Sequence, residues 1–151
     1  MQLKTTRFGT FEVEQSSILY FPLGLLGLDR FARYVIIDSD ATAPMRWLQC
    51  VDEPDLALLI VEPGLFFADY APALSQDDRD ILQLEDAQEP IVACVVVIPE
   101  DPQEMTINLL GPLVLNEDKR LGKQLVLADS SYSARQRLLP DRIPCETPVA
   151  V

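Results

Sequence analysis

The stretch WLQCVDEPDLALLIVEP (47–63) reads as strand, turn, strand. Arg46 to Val51 and Leu56 to Val61 are short apolar runs of strand length. Between them, DEPD (52–55) carries turn chemistry, because Pro54 presets φ and aspartate suits turn positions. Pro63-Gly64 closes the second run. Further along, Pro90 precedes IVACVVVI (91–98), a β-branched stretch apolar on both faces that ends at Pro99. That pattern predicts a central strand.

The surrounding chain repeats this punctuation. Gln2 to Arg7 and Phe11 to Glu14 flank Gly9 as a hairpin, with Phe11 and Val13 alternating against Glu12 and Glu14. Ile18 to Phe21 is a short strand stopped by Pro22, followed by the glycine-punctuated apolar loop GLLGLDRF (24–31). Tyr34 to Ile37, Met105 to Leu110, Leu113 to Leu115 and Gln124 to Leu127 read as strands, with NEDKRLGK (116–123) as a polar turn. Ser75 to Leu84 is the best helix candidate: Ser75 caps, Asp77 and Asp78 favour the positive helix end, and Ile81, Leu82 and Leu84 face inward. Many short strands with Pro and Gly turns predict a mostly antiparallel barrel or sandwich. From Gln136 the chain carries Pro140, Pro144 and Pro148 with little periodicity. The expected organisation is one domain over 1–135 and a flexible Pro-containing tail over 136–151.

The 151 residues include 12 basic and 24 acidic side chains, a net charge of −12, and no histidine. At this length a folded chain buries roughly 68–70% of its unfolded surface, enough for one core. Without histidine there is no Ser-His-Asp or Cys-His catalysis, no His-ligated metal and no histidine pH switch. Cys50, Cys94 and Cys145 form no CxxC pair; Cys50 and Cys94 lie in apolar runs as small buried hydrophobes. Reduced thiols point to the cytoplasm. The opening MQLKTTRFGT has no apolar signal-peptide core, and the eight-residue run Ile91 to Ile98 is far short of the roughly 20 residues of a membrane helix. The expectation is a soluble protein without a membrane partner.

Charge is unevenly placed. Residues 47–118 hold sixteen acids and only Arg79 as a base, whereas 119–142 is basic. An anionic surface repels phosphate, so nucleic acid is not expected as a direct partner, while a basic protein is attracted. A solvated, solubilising face is the plainer reading of the same acids. Phosphate loops fail: the first glycine of a GxxxxGK pattern ending at Lys123 would fall at Glu117. DSDATA (38–43) starts like a calcium loop but has Ala43 where glycine is needed. No cofactor is expected. DEPD, DDRD (77–80) and PEDP (99–102) offer paired acids of the kind a carboxylate-dependent hydrolase uses, although turns and a helix start explain them equally.

Two segments leave packing and contact open. In GLFFADY (64–70), Phe66 and Phe67 are core residues, or at least Phe67 or Tyr70 is an exposed anchor beside Asp69. In the loop after Pro22, Leu23, Leu25 and Leu26 pack inward or form an exposed apolar patch. Trp47 is expected in the core.

Taken in order, FG.FEV (8–13), FPLGLLGLDRF (21–31), WLQCVDEPDLALLIVEP (47–63), LFFADY (65–70), IPEDP (98–102), INLLGPLVLN (107–116), GKQ (122–124) and DSSYSAR (129–135) resemble the flagellar assembly factor FliW family. The set spans roughly residues 7–135. Where that family usually reads FPEGLPGFE, Leu23, Leu26, Leu28 and Asp29 stand here for Glu, Pro, Phe and Glu. Gly111 replaces a frequent alanine, and Gln136-Arg137 replaces His-Pro.

The resemblance implies a mostly β, small antiparallel β-barrel-like single domain with one or two short helices, and no enzymatic activity. It also implies partners. Such proteins bind the RNA-binding repressor CsrA and relieve its repression of flagellin synthesis, and flagellin competes for them. The residues expected to face CsrA are Asp52, Glu53, Asp55 and Asp69, with Phe67 and Tyr70 beside them. Leu23, Leu25 and Leu26 are expected to serve flagellin. The unbound chain is expected to be a monomer. A carboxylate-dependent hydrolase in a barrel cleft is the alternative.

Overall fold

The computed structural model describes residues 1–128 and 130–138. Strands β1 (Gln2–Thr5) and β2 (Gly9–Glu12) form a separate hairpin. The remaining strands are β3 (Leu19–Tyr20), β4 (Arg33–Ile37), β5 (Arg46–Cys50), β6 (Ala57–Val61), β7 (Ile91–Val97), β8 (Thr106–Ile107), β9 (Leu113–Asn116), β10 (Leu121–Gln124) and β11 (Gln136–Arg137). Helix α1 (Gln76–Leu82) lies between β6 and β7.

Seven of these strands close into a barrel in the order β7-β6-β5-β4-β3-β10-β9, with β9 returning to β7. Closure depends on the length of β7. One edge pairs with β6 from Cys94 to Val96. Its other edge pairs with β9 through Ile91–Ala93 and with β8 through Val96 and Val97. All pairings are antiparallel except β3 with β10, which meet at Tyr20 and Leu121. A closed ring removes the unpaired edges that promote aggregation.

Alternation along each strand sorts the apolar residues into an inner and two outer layers. Inward-facing Phe21, Tyr34, Leu48, Cys50, Ile60, Ala93, Leu113 and Leu115 fill the barrel. Phe21 and Tyr34 meet edge-on with ring centroids 5.4 Å apart. Outward-facing Leu59, Val61, Cys94, Val96 and Ile107 carry a second cluster, covered by Phe66, Phe67, Tyr70 and Tyr132. A third, built on Leu82, Val114 and Leu125, sits under α1. Trp47 is half-buried against the second cluster rather than enclosed, with the Arg7 guanidinium 4.2 Å from its ring centre.

The helix is shorter than the predicted 75–84 but begins where expected. Ser75 and Asp78 form a reciprocal capping box, and Gln83 ends the helix in a left-handed conformation at φ 55°.

Beyond shifts of one or two residues at strand ends, three boundaries differ from the sequence reading. The last barrel strand is β10 at Leu121–Gln124, not Gln124–Leu127, and the turn is confined to the residues before it. Lys123 looks like a turn residue, yet both it and Gln124 are half-buried and partnered. The predicted strand Met105–Leu110 yields only β8. Asn108 Oδ1 accepts from the amides of Leu110 and Gly111 at 3.1 and 2.9 Å, turning the chain towards β9. Finally, the sheet extends past 135. Gln136 and Arg137 pair with β8, the Leu138 amide donates to the Met105 carbonyl at 2.9 Å, and the Leu138 side chain is fully buried. The rest of the expected tail, with Cys145, lies outside the described residues, as does Asp129.

The up-and-down order fixes which loops share an end. The β3–β4, β5–β6 and β7–β8 connections emerge at one end of the barrel. Those joining β4–β5, β6–β7 and β9–β10 emerge at the other.

Candidate partner-binding surface

The 52–55 turn at the first end is built from below. Gln49 points outward from β5 yet is fully buried, and its Nε2 donates to the carbonyls of Cys50, Glu53, Pro54 and Leu56 at 3.1–3.4 Å. The N-terminal hairpin clasps the same turn. The Thr6 amide donates to the Pro54 carbonyl at 3.0 Å, and the Thr6 hydroxyl donates to Asp55. The backbone under these acids is therefore pinned on two sides.

The acids themselves differ. Asp52 is held by Arg33, whose Nε donates to Oδ2 at 3.1 Å while Nη2 reaches Oδ1. That hydrogen bond keeps the Asp52 carboxyl below the usual carboxylate range and raises the Arg33 guanidinium. Glu53 accepts from the Asp55 amide at 3.3 Å. Asp55 remains exposed.

Next to this turn lies a feature the sequence reading missed. Strand β7 was expected to be apolar throughout because it is buried, but Val97 and Ile98 are 58% and 47% exposed. They lead into Glu100, Asp101 and Glu104, where Asp101 caps Gln103 at 3.0 Å and Arg137 pairs with Glu104 at 3.4 Å. The available signal was the abrupt change from an eight-residue apolar run to PEDP.

The apolar loop divides its leucines. Leu23 and Leu26 are about 60% exposed, whereas Leu25 is 3% exposed and belongs to the barrel core. The expectation that all three form one contact surface is corrected for Leu25. The tight turn that bridges Leu25 to Leu28 drives Leu25 inward, and Gln124 Oε1 accepts from the Leu26 amide at 2.9 Å, holding Leu26 out. Gly24 makes the turn possible at φ +67°, with the Asp29 backbone 2.5 Å from where a Cβ would stand. Leu23, Leu26, Asp29, Lys123 and Gln124 border a shallow groove of about 410 Å³.

The FFADY segment is elsewhere. It leaves the far end of β6, so Phe67, Asp69 and Tyr70 are not brought together with Asp52, Glu53 and Asp55. Phe66 and Phe67 are half-buried against the second cluster. The Tyr70 hydroxyl donates to the Leu109 carbonyl at 2.6 Å, and its ring meets Tyr132 edge-on at 4.7 Å. Burial raises the Tyr70 hydroxyl and pushes the neighbouring Cys94 thiol up to about 12. Of this segment's candidates, Asp69 is exposed while Tyr70 is committed to packing.

A pocket of about 270 Å³ opens at the second end, walled by Ile36, Ile60, Ala93 and Leu115 with Arg46 and Glu62 at its rim. It holds one carboxylate, as does the groove beside Leu26, so neither presents the acid pair of a glycoside hydrolase. Among the described residues no group of three His, Cys, Asp or Glu side chains is placed to hold a metal ion, and no helix is long and apolar enough to cross a membrane.

This is a small closed β-barrel of the mostly β class, with acidic turns and exposed leucines at one end. The chain belongs to the FliW family: residues 2–138 match the family model described as FliW protein. It is 38% identical over 138 residues to the flagellar assembly factor FliW of Leptospira biflexa, covering 91% of this chain and 90% of that one. With the flagellar assembly factor FliW of Magnetococcus marinus it shares 39% identity over 142 residues, covering 93% and 86%. A crystal structure of the flagellar assembly factor FliW superimposes with a TM-score of 0.86 at 28% identity, covering 93% of this chain and 98% of that one.

Proposed function

We propose that this chain is a cytoplasmic regulatory protein that binds CsrA, relieves repression of flagellin synthesis, and is recaptured by flagellin as the competing partner. The observation that carries the reading is the 52–55 turn, where exposed acids stand on a backbone pinned by Gln49 and Thr6. A protein that holds RNA presents basic surface, and a rigid acidic turn complements it at low entropic cost. Flagellin is the partner suited to the exposed Leu23 and Leu26, because apolar helix faces dock in apolar grooves.

Titration against purified CsrA, with and without flagellin and at two salt concentrations, tests the reading. Tight, salt-sensitive binding that flagellin abolishes is the expected result. Absence of binding to either protein would overturn it.

A further inference from the structure

We propose that Val97 and Ile98, together with the acidic turns on either side of them, form one docking face for a partner that is basic around an apolar centre. This rests on the reading above and assigns its place on the barrel. Strands β6 and β7 are neighbours, and the pairing of Leu59 with Val96 carries Val97 and Ile98 alongside the start of β6. Adjacent strands run roughly 4.8 Å apart. The 52–55 turn feeding β6 therefore stands directly beside the 99–104 turn leaving β7. An exposed β-branched pair lies between two acidic loops, the apolar-centre, polar-rim arrangement of protein interfaces.

Charge selects the occupant. Arg33 is spoken for by Asp52 and Arg137 by Glu104. Glu53, Asp55, Glu100 and Asp101 have no cationic partner among the described residues. A nucleic acid or an anionic lipid surface is repelled by this rim. A second copy meeting it about a two-fold axis would set the same acids against themselves. A basic protein surface gains from the acids and covers the apolar pair.

The test uses two variants of the full chain, Val97→Ser with Ile98→Ser, and Glu100→Lys with Asp101→Lys, each titrated against purified CsrA by a method that resolves rates. All four side chains are exposed, and circular dichroism verifies the fold. The serine pair is expected to weaken binding about tenfold, mainly through faster dissociation. The lysine pair is expected to slow association and flatten its salt dependence. Glu117→Lys, in the exposed β9–β10 turn at the other end of the barrel, serves as the variant expected to bind unchanged. If the unaltered chain binds CsrA and both folded pairs bind equally well, the face is overturned while the partner stands. If the unaltered chain does not bind, face and partner fall together.

Discussion

The side-chain Nε2 of Gln49 lies 3.2 Å from the carbonyl oxygen of Pro54 and ties the end of strand β5 to the turn that follows it. The two N–H bonds of this amide are shared with Cys50, Glu53 and Leu56, and its own carbonyl oxygen is buried without a partner. Burying an amide is costly unless it satisfies other polar groups, and here it satisfies a whole turn. Gln49→Leu keeps much of the volume and removes both donors. It is expected to cost about 1–3 kcal/mol of stability, measured by denaturant unfolding. Backbone amides of residues 53–56 should also exchange faster with solvent. Unchanged exchange there would mean that the hairpin alone holds the turn.

Asp78 links α1 to β10 through Lys123, and both side chains are less than one-fifth exposed. Burial alone would raise the Asp78 carboxyl. Hydrogen bonds from Lys123 and from the Ser75 amide and hydroxyl region outweigh it, and the net shift is downward. A carboxyl depressed in the folded state stabilises the fold above its unfolded pKa, and that contribution is lost as pH falls through the folded value. Asp78→Asn is expected to cost about 1–3 kcal/mol at neutral pH. The cost should shrink as both proteins are acidified below the ordinary carboxylate range. A constant gap between the two unfolding curves across that range would refute the linkage.

Strands β4 to β7 were legible because each is a short apolar run between proline, glycine or aspartate turns, and the capping box at Ser75 and Asp78 marked the helix start. Features set by tertiary partners were hidden. Lys123 reads as a turn residue until Asp78 is beside it, and Leu138 reads as tail until Met105 offers its carbonyl. The candidate site suffered in the same way. Asp52, Glu53 and Asp55 stay together because they share one four-residue turn, but only strand direction reveals that Tyr70 leaves the other end of β6. Val97 and Ile98 look like core in sequence, and only the abrupt change to PEDP marks where the strand outruns its cover.

Gly122 on β10 faces the barrel interior, and a Cβ built there would lie 2.5 Å from the Phe21 ring and 2.9 Å from Leu115. Phe21 is fully buried and fixed edge-on against Tyr34, so it has little room to retreat. Gly122→Ala is expected to destabilise by about 1–3 kcal/mol through overpacking, despite the better intrinsic propensity of alanine. Thermal unfolding reads this directly. The companion change Phe21→Leu should recover part of the loss in the alanine background, and failure of that rescue would place the strain in the backbone instead.

Leu25 and Leu26 are neighbours in sequence with opposite fates, which separates folding from contact. Leu25 is buried in the barrel core, so Leu25→Ala is expected to cost about 2–5 kcal/mol, and an aspartate there should prevent folding. Leu26 is 61% exposed, and Leu26→Asp should leave the unfolding midpoint within about 0.5 kcal/mol of the parent. If the loop serves flagellin, Leu26→Asp and Leu23→Asp will each weaken flagellin binding in a protein that is still folded. Leu25 variants will lose binding only in proportion to the unfolded fraction. Equal flagellin affinity for the parent and the folded Leu23→Asp, Leu26→Asp double variant would take the contact away from this loop, leaving Leu25 as the anchor of a turn whose outer leucines serve no flagellin contact.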